Sequence, residues 1–322
     1  MEKQLQGQLR LDSNLSEWFE SMKQWGADSW SQYAPHYRGY ELLKGAKRGH
    51  DMRSVGFMQS LLPGFDAYLD PEELFLQQRM LSLCHDLSGA AGVDFHLAFP
   101  FPLFPVQHLE SVRACASEYL NTEWQIDIYN LLLPELLKNV CRTYVSNLPE
   151  IRRLDVWICE GCGEIIKVSR EDLRRNVEWF PQLVHALDEV CRELAIEGMI
   201  FAHDFFHTAD SRRTVHRTLS KYPDILIMED LTWPEESGAM PFMGFIPKEQ
   251  RLRLFDRSRV KVNCLTDTEY TGQGLLPYTP ARWWKQAASS AAKAGAFSLG
   301  GRCGFWDNGR TAVSFNRLNA YM

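Results

Sequence analysis

Arg153-Leu154-Asp155-Val156-Trp157-Ile158-Cys159-Glu160-Gly161-Cys162-Gly163-Glu164 is the stretch whose reading decides the fold. Its first half, Arg153 to Ile158, is a short apolar run with the length of a buried strand. Its second half turns at once into glycines around a glutamate, Glu160. Gly161 and Gly163 let the backbone turn sharply and let a ligand approach closely. A second stretch repeats the arrangement. Val260 to Leu265 is again apolar and β-branched, and it leads to Asp267-Thr268-Glu269-Tyr270-Thr271-Gly272-Gln273-Gly274. Each stretch sets a glutamate just past the C-terminal end of a strand. In a (β/α)8 barrel that rim carries the catalytic groups.

Working outward, a helix pattern followed by a short apolar strand recurs along the chain, which points to an α/β fold with a parallel sheet. Helices are expected over Leu15 to Trp25, from Pro71 to about Asp86, over Ile126 to Ser146, Phe180 to Leu194, Pro280 to Lys293 and Thr311 to Ala320. Strands are expected over Asp28 to Ala34, Val93 to Phe99, Arg153 to Ile158, Gly198 to Ala202, Ile225 to Met228, Val260 to Leu265 and Ala296 to Leu299. The last of these opens a turn at Gly300-Gly301. An eighth strand is sought in Leu5 to Leu11, so the fold expected is a (β/α)8 TIM barrel with an incomplete or irregular first strand. One domain spans 1–322, with 35–69 as a long rim loop or small excursion. The short last helix suggests a piece of a longer ancestral protein.

Bulk composition narrows the function. Of 322 residues, 45% are hydrophobic and 24% charged, which are globular values. A net charge of −6 weighs against a nucleic-acid binder, which carries a basic excess. No run is long and apolar enough for a membrane span, and Met1 to Gly7 has no apolar signal region. A cytoplasmic protein with reduced thiols is expected, most of its eight cysteines acting as small buried apolar groups. Ten Trp and eighteen Phe supply a large core, and some of them supply faces for sugar rings.

Two rim carboxylates from different strands are the minimum kit for cleaving a glycosidic bond. Glu160, partly buried near Trp157, would have a raised pKa and act as the proton donor. Glu269, on a strand across the mouth, would activate water or attack. The plain alternatives are a loop-ordering carboxylate at Glu160 and a salt bridge from Glu269 to a rim arginine. Glu229 and Asp230, after the sixth strand, would add a base or bind a sugar hydroxyl. His203 and His207 have the spacing of a helical metal pair, but they begin at a strand end and lack an evident third ligand. The C-x-x-C of Cys159 and Cys162 has no second pair. There is no G-x-G-x-x-G and no Walker motif, so no cofactor and no metal are expected.

Thr268-Glu269-Tyr270-Thr271-Gly272-Gln273, followed by a helix with Trp283-Trp284-Lys285, resembles the seventh-strand motif of glycoside hydrolase family 67, the α-glucuronidases. Glu160-Gly161 resembles that family's Ser-Glu-Gly segment. Gly300-Gly301 and Asn319-Ala320-Tyr321 are similar to its eighth strand and last helix. The resemblance implies Glu160 as general acid, Glu269 as catalytic base and inversion at the anomeric carbon. The family's strand 6 aspartate aligns near Trp233, a few residues after Glu229 and Asp230. Its strand 4 lysine, which helps bind a uronate, aligns near Val156, and its serine beside the acid is Cys159 here. The expected substrate is a hemicellulose-type or uronic-acid-bearing oligosaccharide. Trp157, His203, Trp233, Tyr270, Arg302 and Trp306 are its expected contacts. The alternatives are a carbohydrate-binding barrel without catalysis and a metal-dependent hydrolase using His203 and His207.

Overall fold

In the computed structural model Arg153–Ile158 is a strand buried at every position, and it pairs on both sides. The structure describes residues 2–7, 15–24, 26–33, 71–101, 117–119, 127, 130–148, 150–158, 179–201, 214–215, 217–230, 262–267, 289, 292 and 298–302. Eight parallel strands close into one barrel in sequence order. They are β1 (Glu2–Gly7), β2 (Ser29–Tyr33), β3 (Asp94–Phe101), β4 (Arg153–Ile158), β5 (Glu197–Phe201), β6 (Ile225–Asp230), β7 (Val262–Asp267) and β8 (Ser298–Arg302). Followed around the ring, the pairings return to β1 about eight residues along, the shear of a TIM barrel.

Four long helices are described: α1 (Leu15–Gln24), α2 (Pro71–Ala91), α3 (Leu133–Asn147) and α4 (Trp179–Leu194). Leu15, Trp18, Phe19 and Met22 form a buried stripe along α1 at helical spacing. That stripe meets the outer face of β2, where Trp30 lies edge-on to Trp18 and Phe19 at 5.6 and 6.3 Å. Phe99 of β3 meets Tyr144 of α3 at 4.9 Å. On β5 a Cβ at Gly198 would lie 2.8 Å from Ile225 Cδ1 and 2.9 Å from Cys191 Sγ. Only glycine leaves α4 room to pack this close to the sheet.

Three helices pass to the next strand through the same C-terminal turn. The amides of Gly26 and Ala27 donate to the carbonyls of Lys23 and Met22, with Gly26 at φ 69°. Gly92 and Val93 repeat this with Gly89 and Ser88, and Ala195 and Ile196 with Arg192 and Cys191. This is the Schellman arrangement, which satisfies the last carbonyls and reverses the chain toward the barrel.

The sequence reading needs four corrections. The first strand is regular and is described at Glu2–Gly7, opening three residues ahead of the expected Leu5; it pairs with both β2 and β8, while 8–11 lie outside the described residues. Its polar inner side, with Gln4 fully buried, hid it from an apolar search. Gly300 and Gly301 are not a turn but the middle of β8, paired with Gln4 and Leu5 of β1. The helix expected from Ile126 begins at Leu133. Ahead of it Asn130 Oδ1 accepts the Leu132 amide in a turn, and Pro134 opens the helix where a missing N–H costs nothing. Finally, β6 and β7 run on through Asp230 and Asp267, beyond the apolar residues that marked them. The segment 35–69 and the last helix lie outside the described residues. Of Pro280 to Lys293, Ser289 and Ala292 are described and are helical.

Candidate active site

Strand register sorts every strand residue into an inner or an outer set. Gln4 of β1 donates through Nε2 to Asp155 Oδ2 of β4 at 3.2 Å, and Ser31 of β2 donates to the same oxygen. β1 and β4 are not neighbours in the sheet, so this contact crosses the barrel interior. Gln4, Ser31 and Asp155 therefore mark the inner set, and the pairings extend it around the ring. In this fold the inner residues stack in layers of four, drawn from alternate strands.

The lowest complete layer is Ser29, Arg153, Leu226 and Ser298 by register, followed by Gln4, His96, Met199 and Asn263. Above them come Ser31, Asp155, Met228 and Gly300, then Gln6, Ala98, Phe201 and Leu265. The layer at the barrel mouth is Tyr33, Trp157, Asp230 and Arg302. Below the mouth layer the inner wall is thus mostly polar on β1 to β4, with Ala98 on β3 as the exception, and apolar on β5 and β6.

The polar wall centres on a buried ion pair. Arg153 Nε donates to Asp155 Oδ1 at 2.7 Å, with the two side chains 0% and 1% exposed. Three donors on three strands thus converge on one carboxylate. His96 is buried beside them, and burial, with the Arg153 charge second, holds its imidazole well below the usual value of 6.5. The apolar wall is Ala98, Trp157, Met199, Phe201, Leu226 and Met228, a single buried cluster.

The neutral state of His96 gives a pH prediction with a definite sign. The unfolded chain takes up a proton near pH 6.5, while the folded chain does so only at lower pH. Folding stability should therefore be full above that value and fall as pH drops below it, by up to about 1.4 kcal/mol per unit. Urea melts at pH 7.5 and 5.5 on the wild type and on His96→Gln check this. Equal losses in the two proteins would remove His96 as the cause.

The candidate residues separate as follows. Trp157 belongs to the mouth layer but is wholly buried, with its ring 4.1 Å from Phe201. The backbone of Asp230 falls in the inner register phase, in step with Met228, whereas Glu229 falls in the opposite phase. Arg302 shares the inner phase with the buried Ser298. Register thus brings Trp157, Asp230 and Arg302 to one layer. Glu160, His203, His207, Trp233, Glu269, Tyr270 and Trp306 lie outside the described residues, as do Cys159 and Cys162. Sequence reasoning missed the interior set of Gln4, Ser31, His96, Arg153 and Asp155. Its one signal was the alternation Arg153, Asp155, Trp157 within an otherwise aliphatic strand.

Among the described residues no group of three His, Cys, Asp or Glu could hold a metal ion, and no helix is long and apolar enough to cross a membrane. Cys84, Cys141 and Cys191 are free and buried. Burial pushes Cys84 and Cys141 upward and Cys191 up to about 12, so these thiols are chemically quiet.

This barrel has many solved counterparts. A GH138 enzyme that targets pectin rhamnogalacturonan II superposes at a TM-score of 0.57 with 13% identity, over 100% of this chain and 38% of that one. The catalytic domain of β-amylase from Paenibacillus polymyxa superposes at 0.56 with 8% identity, covering 100% and 97% of the two chains. The 3-keto-D-glucoside 4-epimerase YcjR from E. coli superposes at 0.50 with 10% identity, covering 100% and 98%. The fold is a (β/α)8 barrel shared with glycoside hydrolases. This chain spans 38% of the length of the GH138 enzyme. At such identities the likeness is one of fold, and the epimerase shows that the same fold carries other sugar chemistry. No protein-family model and no curated protein matches the chain. The α-glucuronidase resemblance therefore rests on the quoted motifs alone.

Proposed function

We propose that the protein is a glycoside hydrolase that cleaves an O-glycosidic bond with two rim carboxylates. The observation that carries this reading is a symmetry between strand ends and sequence. β4 ends at Ile158 and β7 at Asp267, and a glutamate follows each end at the second position, Glu160 and Glu269. β4 and β7 are separated by two strands on one side of the ring and by four on the other. Residues just past their ends belong to the catalytic rim of this fold.

In this reading Glu160 protonates the departing oxygen and Glu269 takes a proton from the attacking water. Asp230, in the inner phase, is the better placed of the strand 6 acids to assist; Glu229 is the lesser candidate. Hydrolysis with inversion needs the two carboxyl groups roughly 6.5–9.5 Å apart, to admit the water. His203, Trp233, Tyr270, Arg302 and Trp306 complete the substrate site in this reading, with the buried Trp157 packed beneath it as core rather than as a contact. The substrate is an oligosaccharide of hemicellulose type or one that bears a uronic acid. The sugar-directed names of the fold neighbours support the carbohydrate class. The α-glucuronidase motif supports the finer choice.

The test is sugar release from a panel of glucuronic acid-capped xylo-oligosaccharides and neutral glycosides. Turnover of any member identifies the activity and the sugar. A folded protein that turns over none of them would overturn the hydrolase reading.

A further inference from the structure

In this fold the interior layers are filled mainly by bulky branched side chains. The layer farthest from the mouth departs from that rule. It consists of Ser29, Arg153, Leu226 and Ser298, so two of its four positions carry the short side chain of serine. His96 stands in the next layer, in the inner register phase like Ser298, so both side chains project into the interior. Ser298 is 0% exposed and His96 2% exposed, so bulk solvent reaches neither. Among the described residues, Ser298 Oγ and His96 Nδ1 nevertheless have no hydrogen-bond partner. Native interiors leave few such groups bare.

The surroundings define what could bond them. Arg153 and Asp155 neutralise each other as a bonded pair, and burial keeps the His96 ring neutral at pH 7. A bound ion would have no counter-charge there. The ligand must also be small, because only the two serines leave room. It must both donate and accept, because a hydroxyl does either and an imidazole nitrogen does one or the other according to its tautomer. Water meets all three conditions, and buried water typically bonds otherwise unpartnered polar groups.

We propose that the closed end of the barrel is a hydration site, in which buried water bonds Ser298 Oγ and His96 Nδ1. The bonds of Gln4 and Ser31 to Asp155 close it on the mouth side, so it is separate from the rim and from any substrate. On this polar side of the barrel, water fills the core where other barrels place aliphatic side chains. It also gives the neutral His96 ring a partner that needs no charge.

Magnetic relaxation dispersion of water ¹⁷O tests this, because it counts waters held for longer than the protein takes to tumble. The double variant Ser298→Val, His96→Leu fills the space with apolar atoms and should lose at least one such water relative to the wild type. An unchanged count in the folded variant would overturn the proposal. A high-resolution crystal structure of the wild type decides the case where the variant does not fold. Water about 2.7–3.2 Å from both Ser298 Oγ and His96 Nδ1 is the expected result. A dry interior, or either atom bonded to a protein group instead, would overturn it. Neither measurement involves a substrate, so the outcome is independent of the hydrolase reading.

Discussion

Asp155→Ala is expected to destabilise the barrel by about 3–5 kcal/mol. Asp155 accepts from Arg153, Ser31 and Gln4 inside the barrel, so its carboxylate ties β1, β2 and β4 across the interior. Removing it strips the buried guanidinium, 0% exposed, of its carboxylate. The desolvation of Arg153 would stay while its bond to Asp155 goes, and this asymmetry makes a broken buried pair costly. Gln4 and Ser31 lose the same acceptor, and with it the link that closes the first two strands onto the fourth. Replacing the whole pair, as in Arg153→Met with Asp155→Leu, should cost much less than Asp155→Ala alone. Urea midpoints at constant slope measure all of these. A single-mutant loss below about 1 kcal/mol would make the ion pair incidental to barrel closure.

Glu160→Gln and Glu269→Gln are each expected to cut turnover by about a hundredfold to ten-thousandfold, the usual worth of a positioned acid or base. Glutamine keeps the size of each side chain but cannot exchange the proton, so the fold and the ligand affinity should survive. The two substitutions should differ in kind. With an aryl glycoside, whose leaving group departs without protonation, Glu160→Gln should recover much of its rate, because only the general acid has been lost. Glu269→Gln should stay slow on both substrates, because the water still lacks its base. The anomer first formed, read by proton NMR, separates inversion from retention; retention would recast Glu269 as the nucleophile. Equal rates for wild type and both variants on every substrate would remove these glutamates from the mechanism.

Much of this architecture was legible from local pattern. The helix that became α1 announces itself through Leu15, Trp18, Phe19 and Met22, and α4 through its stripe from Trp179 to Cys191. β4 was recognisable end to end, because a parallel strand covered on both faces needs an apolar run. β1 was not, because the wall it faces is polar. Glu2-Lys3-Gln4-Leu5-Gln6-Gly7 has no apolar face, and Gln4 is buried only because Asp155 of β4 receives it. The extra residues of β6 and β7 were missed for a related reason: Asp230 and Asp267 look like loop residues until neighbouring strands pair with them. At the site, the sequence supplied Glu229 and Asp230 as equals, and only the register separates them.

The sequence by itself determined the four described helices, seven of the eight strands (β2 to β8), their βα alternation, and the glutamates that follow β4 and β7. These are short-range matters, set by hydrophobic period, turn residues and strand length. The tertiary structure alone decided which residues share the interior. It joined Gln4, Ser31, Arg153 and Asp155, which span 151 residues of chain, into one buried network. It also brought Trp157, Asp230 and Arg302 to one layer. The physical reason is that an inward position is defined by the stagger of eight paired strands. A stagger error of one residue would exchange the inner and outer sets, and no window of local sequence carries that register.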